Sequence, residues 1–256
     1  MSVRIKTPRE INLMRQSCHL LAEVFNELAK MIEPGISTWE IDHEGEKMIR
    51  KLGGVPNFLN YDGYPASICV SVNQEIVHGI PKRNKIIAEG DIVSLDAGLI
   101  YEGYHSDMAR TIGAGKVSEE AEKLMEVTKA SFFEGIKNAR SGKHLYDISG
   151  NIGDYANSFG YGVVRELVGH GIGTHLHEDP QIPNFRVKKS RGIELKAGMT
   201  LAVEPMINAG TAEVRWMNDG WTVETADGSL SAHYENTILI TDDEPEILTI
   251  IPGMVC

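Results

Sequence analysis

Residues 93–113, VSLDAGLIYEGYHSDMARTIG, give the strongest indication of how this chain folds. Apolar residues alternate with others in its first half, a period of two that predicts a strand (Val93, Leu95, Ala97 and Leu99). Tyr101-Glu102-Gly103 supplies a turn, so the segment is interpreted as a β-hairpin. Asp96 and Asp107 lie symmetrically about that turn, and we expect them to be cross-strand partners with Cβ atoms about 4.5–5.5 Å apart. Two carboxylates tolerate that distance only with a proton or a cation between them.

Three further candidate ligands follow along the chain: His170, Glu204 and Glu235. Glu204 in MTLAVEPMI and Glu235 in AHYENTILIT have strand-forming neighbours that would carry a carboxylate into the interior. Taken alone, an Asp near a hairpin is most often a surface group, and a His between glycines can be an ordinary loop residue. The five together favour a metal site.

The composition of this set indicates which metal it would hold. Four carboxylates and one imidazole are too rich in oxygen for a structural zinc site and contain too much nitrogen for a calcium cage. Mixed oxygen and nitrogen ligands suit divalent Mn, Fe, Co or Zn. Four carboxylates over-neutralise one divalent ion, whereas two ions with bridging carboxylates give a balanced site of the kind used for hydrolysis.

Composition sets wider limits. The 256 residues, 42% of them hydrophobic, suffice for one large domain spanning 1–256, and no low-complexity linker divides them. A net charge of -11 argues against a nucleic-acid scaffold. The N-terminus lacks an apolar signal core, and no stretch approaches the ~20 apolar residues of a membrane span. Cys18, Cys69 and Cys256 show no paired spacing, so we expect reduced thiols in a cytoplasmic protein.

Capping patterns predict the helices. Thr7-Pro8 with Glu10, Ser37 with Glu40, and Ser118-Glu119-Glu120 open the first three, and the expected spans are 8–32, 38–53, 119–142 and 144–159. The order helix, helix, strands occurs twice, which indicates two related αβ halves whose sheets meet around the ligands. Asn218-Asp219-Gly220 predicts a second hairpin, with Trp221 at the start of a strand.

The glycines Gly169, Gly171 and Gly173 also raise a nucleotide-binding interpretation, through amides that cradle phosphate. The segment does not open a helix, and no acidic partner for a ribose follows it. We expect these glycines to permit a close approach of backbone beside His170.

The chain resembles the type I methionine aminopeptidases, which are pita-bread metallopeptidases. The matching segments, in family order, are NQEIVHGIP, LDAGLIYEGYHSDMART, GHGIGTHLHEDP, AVEPM and YENTILIT. Any one of them is weak evidence, but five in order across nearly the whole chain are highly specific. The resemblance implies an α+β pita-bread fold, with two pseudo-twofold αβ halves and a curved antiparallel sheet covered by helices on one face.

The same resemblance implies an activity: removal of an N-terminal methionine when the second residue is small. The five ligands would hold two divalent ions, with Asp107 and Glu235 as bridges and Glu204 also as proton shuttle. His177 would donate a hydrogen bond to the carbonyl oxygen as it becomes an oxyanion, while His78 would face the scissile nitrogen or the next residue. The implied partner is a nascent polypeptide, with the ribosome as the place where it would be met, and the enzyme is expected to be a monomer.

Residues matching the family's methionine pocket are Phe58, Tyr61, Tyr64, Cys69 and Trp221. Ordinary core is the alternative for such residues. The chain departs from the family at Phe58, where some relatives carry a cysteine, and at Leu176, where an aromatic residue is common. Both departures change the wall of the pocket and leave the ligands intact.

Three rival interpretations remain. Proline-specific aminopeptidases and prolidases use the same ligand series, but those compared carry an additional N-terminal domain for which this chain has no room. Creatinase-like enzymes share the fold without the full ligand set. A non-catalytic binding module of the same fold is the alternative of a different class, and such proteins typically lack the ligands that are all present here.

Overall fold

The computed structural model describes residues 3–254, which contain four α-helices and fifteen β-strands. The helices are α1 (Pro8–Ala29), α2 (Thr38–Lys51), α3 (Glu119–Ile136) and α4 (Leu145–Ser158). The strands before α3 are β1 (Val55–Pro56), β2 (Ile68–Val72), β3 (Glu75–Val77), β4 (Ile92–Tyr101) and β5 (Tyr104–Gly113). Those after α4 are β6 (Gly162–Val163), β7 (Gly169–Gly171), β8 (Glu178–Ile182), β9 (Thr200–Val203), β10 (Met206–Asn208), β11 (Val214–Trp216), β12 (Val223–Thr225), β13 (Ser231–His233), β14 (Glu235–Leu239) and β15 (Glu246–Ile247).

One antiparallel sheet of nine strands dominates the fold. Its order is β1-β4-β5-β14-β9-β7-β8, with β2 also paired to β4 and β15 also paired to β14. Two smaller sheets have the orders β13-β10-β6 and β11-β12-β3. Because β14 lies between β5 and β9, the late strand β14 joins strands from both halves of the chain.

The helices cover one face of this sheet in two pairs. Apolar side chains of α1 and α2, such as Phe25 and Ile41, share a core cluster with Leu95 and Met108 of the first hairpin. Side chains of α3 and α4 share a separate cluster with residues of β9 and β14. Each helical pair therefore covers its own half of the sheet, as the repeated order of elements predicts.

Alternation along the strands decides what faces away from the helices. Leu95 and Ala97 of β4 pack towards α1 and α2, so Asp96 between them points to the opposite face. The same period places Asp107 opposite Met108 on β5. The sheet therefore has a helical face, which forms the two cores, and a face that receives the carboxylates.

Local capping explains where the helices begin. Thr7 and Glu10 form a capping box at the start of α1, and Ser37 and Glu40 do so for α2, as predicted. The predicted C-terminal ends are too late: α1 stops at Ala29 instead of Ile32. The backbone N–H of Met31 bonds the carbonyl of Leu28, an i to i+3 bond that tightens and ends the last turn. In the same way α3 ends at Ile136, well before Ser141-Gly142.

The second predicted hairpin forms, but Trp221 lies in its loop and not in a strand, since β12 begins at Val223. The physical reason is Asp219, whose carboxylate accepts hydrogen bonds from the backbone N–H groups of Trp221 and Thr222, at 3.1 and 2.9 Å. That turn keeps both residues out of the ladder.

Cys18 and Cys69 are buried free thiols, as expected, and Cys256 lies outside the described residues. Within residues 3–254, no helix is long and apolar enough to cross a membrane.

Candidate active site

The five sequence-predicted ligands converge on the face of the large sheet that the helices leave free. Asp96 comes from β4, Asp107 from β5, His170 from β7 and Glu235 from β14, while Glu204 directly follows β9. Neighbouring strands bring them together over a sequence separation of more than a hundred residues. The structure therefore brings all five side chains to one place.

The predicted register of Asp96 and Asp107 is wrong. Asp96 pairs with Ala109, and Asp107 pairs with Gly98, so the two carboxylates are diagonal neighbours on the same face. The cause is the turn, in which only Glu102 and Gly103 connect the strands, with φ of 50° and 79°. Two successive positive φ values define the tight I′ hairpin, which shifts the register by one residue on each strand relative to the predicted symmetry.

Ligand atoms of three residues lie within 4.8 Å of one another: those of Asp107, His170 and Glu235. Nε2 of His170 is 3.8 Å from Oδ2 of Asp107 and 3.7 Å from Oε1 of Glu204. These separations are too long for hydrogen bonds and match those of atoms that bind a common cation at about 2.0–2.2 Å. The donors therefore surround a space of the size of a metal ion.

Electrostatics support the same conclusion. Among the described residues, one oxygen each of Asp96, Asp107 and Glu235 is buried without any hydrogen-bond partner. Burial raises the pKa of Asp96 to about 7. Burial and then mutual repulsion raise the pKa values of Asp107 and Glu235 well above the usual range of carboxyls. A protein retains such a cluster when a cation compensates it, so the residues fit a divalent metal.

His170 is prepared for ligation. Burial, followed by the nearby His177, lowers its pKa to about 3, so the ring is neutral and offers a lone pair. Its Nδ1 lies 2.8 Å from the carbonyl oxygen of Gly171, which leaves Nε2 free to face the carboxylates. A Cβ at Gly169 or Gly171 would collide with a carbonyl of the adjacent strand, so these glycines permit the close backbone approach that was predicted.

All the predicted ligands and substrate-contacting residues line one inner cavity of about 160 Å³. Its wall comprises Phe58, Tyr61, Tyr64, Cys69, His78, Asp96, Asp107, His170, Leu176, His177, Glu204, Trp221 and Glu235, together with Asp62. The register of β2 and β4 sets Cys69 directly opposite Asp96, which joins the apolar wall to the ligands. The aromatic residues are packed against this cavity, with Tyr64 and Trp221 in edge contact at 5.1 Å between ring centroids.

A wider outer cleft of about 470 Å³ adjoins the inner cavity. The two spaces share His78, His170 and His177 among their walls, and the outer one continues past Leu167 and Gln181. His78 has a φ of 58°, a left-handed backbone conformation rarely adopted by a residue with a side chain. His78 lines both spaces and so lies at the junction between them.

One residue of the site was missed from the sequence. His233 is 1% exposed, and its Nε2 lies 3.9 Å from Oε2 of Glu204 and 4.0 Å from Oε2 of Glu235. Neither ring nitrogen has a hydrogen-bond partner in the part of the chain that the structure describes. Its place two residues before Glu235 on the same alternating stretch was the available signal, because residues two apart on an extended chain share a face.

Comparison with known proteins agrees with this geometry. The model of metallopeptidase family M24 matches residues 12–242. The chain therefore belongs to metallopeptidase family M24. A methionine aminopeptidase of Clostridium acetobutylicum is 50% identical and covers 96% of this chain and 98% of its own length. A crystal structure of a methionine aminopeptidase from Thermotoga maritima superposes with a TM-score of 0.95 at 43% identity, covering 98% of this chain and 100% of the other.

A more distant likeness separates the branches of the family. The Xaa-Pro dipeptidase of Bacillus anthracis has a TM-score of 0.77 and 26% identity, and this chain covers 62% of its length. The near-complete matches at higher identity place the chain in the methionine aminopeptidase branch, and the predicted pita-bread fold is confirmed.

Proposed function

We propose that this protein removes the N-terminal methionine from polypeptides by metal-assisted hydrolysis, preferring substrates whose second residue is small. The observation that carries the proposal is the shared cavity, in which an apolar aromatic wall and a cation-binding cluster face one another. A methionine side chain against that wall would bring its peptide bond to the carboxylates.

The metal centre is proposed to hold two divalent ions, of Co, Mn, Fe or Zn. Asp96, Asp107, His170, Glu204 and Glu235 would hold them, with Asp107 and Glu235 as the shared ligands. When bound, such ions polarise the scissile carbonyl and lower the pKa of a water molecule towards neutrality.

Glu204 is proposed to move the proton. Its carboxylate lies between His170 and His233, at 3.7 and 3.9 Å, on the border of the inner cavity and the outer cleft. At that border it can accept a proton from the attacking water and return it to the leaving amine.

The two histidines that line both spaces without being proposed as ligands, His78 and His177, are proposed to bind the reacting peptide. His177 would donate to the carbonyl oxygen as negative charge develops there, since it lies against His170 with 4.4 Å between ring centroids. His78 would contact the scissile nitrogen or the second residue at the junction. Phe58, Tyr61, Tyr64, Cys69 and Trp221 would bind the methionine side chain.

Nascent polypeptides at the ribosome are the proposed substrates of a monomeric, cytoplasmic enzyme. The net charge of -11 argues against direct binding of nucleic acid.

The experiment is a comparison of Met-Ala-Ser with Ala-Pro-Ala as substrates, with each divalent ion added in turn to metal-free protein. We expect cleavage of Met-Ala-Ser alone. Cleavage of Ala-Pro-Ala would transfer the chain to the proline-specific enzymes, and no turnover of either with any ion would favour a binding module. Asp107→Asn serves as the negative control, because background peptidase in the preparation would survive it.

A further inference from the structure

The loop that carries His177 connects β7 to β8, and its own backbone bonds are few. The N–H of Gly173 bonds the carbonyl of His175 at 3.1 Å, and the carbonyl of Gly173 accepts from the N–H of His105 at 2.8 Å. His177 is exposed, but its Nδ1 lies 2.9 Å from the hydroxyl of Tyr61, and the preceding Leu176 is buried. Both contacts hold the end of the loop, and the turn at 173–175 needs a support of its own.

The carboxylate of Glu178 organises this loop. One oxygen, Oε1, accepts from the backbone N–H groups of Thr174 at 2.8 Å and His175 at 3.3 Å. The other, Oε2, accepts from Nζ of Lys6 at 2.7 Å. Glu178 therefore closes the loop on itself and ties it to a residue 172 positions earlier in the chain.

The ion pair is buried on both sides: the side chain of Lys6 is 3% exposed and that of Glu178 is 11% exposed. A charge-assisted hydrogen bond in such surroundings has fixed geometry, and loss of one partner leaves the other charge buried and uncompensated. A Cβ at Gly173 would meet both Oε1 of Glu178 and Cε of Lys6, so the loop backbone is packed directly on the pair.

The arm that carries Lys6 is itself anchored. The backbone N–H of Lys6 donates to the carbonyl of Gly198 at 2.8 Å, and the next residue, Thr7, is the N-cap of α1. Arg4, on the same arm, donates to Oγ1 of Thr174 at 3.0 Å. Lys6 thus links an anchored arm to the turn of this loop.

We propose that Lys6 is a positioning residue for the reaction: through Glu178 it holds the loop so that the imidazole of His177 stays in register with the scissile carbonyl. The inference rests on the proposed role of His177. A displacement of about 1 Å at such a group costs roughly a hundredfold in rate, so a contact outside the cavity can control turnover.

The kinetic test is a double-mutant cycle. Lys6→Met is expected to lower kcat on Met-Ala-Ser at least about 10-fold, with KM and bound metal little changed, and Lys6→Arg to restore part of it. In the His177→Ala background, Lys6→Met should change kcat less than about twofold, because the group it positions is gone. Equal effects of Lys6→Met in the two backgrounds would overturn the proposal.

A matched control is Arg15→Met, which removes another ion pair of the N-terminal region, to Glu246 at 2.6 Å, without touching this loop. Its kcat should remain within about twofold of the wild type. If Lys6→Met folds poorly, Lys6→Met with Glu178→Gln removes the uncompensated charge and should show the same loss of kcat. Recovery of wild-type kcat in that double variant would count against the proposal.

A spectroscopic test needs no turnover. In protein labelled with ¹⁵N-histidine, the ring signals of His177 are those lost in His177→Ala. Lys6→Met should displace or broaden them and leave those of His144, at the start of α4, in place. Unchanged His177 signals would refute the positioning role. Absence of cleavage by the wild type, with displaced signals in Lys6→Met, would refute the proposed function and leave the positioning intact.

Discussion

The hydroxyl of Tyr61 lies 2.9 Å from Nδ1 of His177, and the two rings meet edge to face. Burial lowers the pKa of His177, so its imidazole is neutral near pH 7 and carries one proton. When Tyr61 donates to Nδ1, that proton is placed on Nε2, the nitrogen left for the substrate. With Tyr61 as the donor, the pair holds the tautomer that an oxyanion donor requires.

Replacement of His177 should affect rate more than metal binding. We expect His177→Ala to lower kcat by about 10²–10³-fold, the usual cost of one lost donor. Tyr61→Phe keeps the imidazole of His177 but removes the hydroxyl that fixes its tautomer. We therefore expect a smaller loss of kcat in Tyr61→Phe than in His177→Ala. Metal stoichiometry, measured by calorimetric titration, should stay at the wild-type value in both, and a parallel loss of metal from His177→Ala would instead make His177 a ligand.

Asp107→Asn should weaken metal binding and abolish most turnover while the fold persists. The substitution removes one of the buried, repelling carboxylates, so the metal-free variant should be at least as stable as the metal-free wild type. Urea denaturation of both metal-free proteins, beside metal titration, checks each part. Retention of wild-type kcat with full metal content would contradict the assignment.

Specificity should fall steeply with the size of the second residue of the substrate. A bulky second residue would crowd His78 at the junction, and misplacement of the carbonyl is costly in rate. We expect kcat/KM to be high for Met-Ala and Met-Gly tripeptides and low for Met-Leu and Met-Lys. Norleucine in place of methionine should be accepted poorly but detectably, because such a change in an apolar pocket is worth only about 1–3 kcal/mol. Equal values across the series would indicate a broad aminopeptidase.

The metal-free protein should lose stability as pH rises above about 7.5. Burial raises the pKa of Asp96 to about 7, and those of Asp107 and Glu235 well above the usual range, so the folded state binds more carboxyl protons than the unfolded chain. Stability from this source is therefore full at low pH and is lost as pH rises through the folded pKa values. Buried histidines such as His170 act oppositely, but only below about pH 7.5, since above it imidazoles are neutral in both states.

The measurement is the urea midpoint of metal-free protein between about pH 7.5 and about 8.5, which should decrease with pH. Saturating Mn²⁺ should reverse that slope, because bound metal favours the ionised carboxylates. A midpoint that rises with pH in the metal-free protein would show that the carboxylates are not held protonated.

Ser37→Ala should destabilise the fold by about 0.5–2 kcal/mol, because it removes the side chain that accepts from the N–H of Glu40 at the start of α2. The control is Lys47→Ala, which breaks the exposed pair with Glu44 on the same helix and should cost less than about 0.5 kcal/mol. Equal losses of unfolding free energy in the two variants would show that the Ser37 cap does not stabilise α2.

Local chemistry made much of the architecture predictable. Thr7 and Ser37 predict the starts of their helices, because a capping box pairs residues three apart. The face of the sheet on which Asp96 and Asp107 lie was predictable because side chains alternate along a strand. The register was not predictable because the first turn position is occupied by Glu102. Glutamate has a poor preference for positive φ, so the sequence gives no sign of the two-residue turn.

Contacts between distant segments left no such pattern. Glu178 and Lys6 are ordinary charged residues in sequence, and their pairing depends on how α1 and the loop before β8 pack together. The ligands were predictable in spite of similar separations only because five unusual buried carboxylate and imidazole positions recur in a family order.

The central position of β14 has a consequence for the order of assembly. Glu235 pairs with Ala109 of β5, and the next residue, Asn236, pairs with Val203 of β9, so the strand that completes the cation cluster also closes the sheet. Pairing over such separations is slow relative to local helix formation. Before β14 pairs with its neighbours, the set of metal donors is incomplete. We therefore do not expect the ion to nucleate folding. We expect metal binding to be the last step, after β14 has joined the two halves of the sheet.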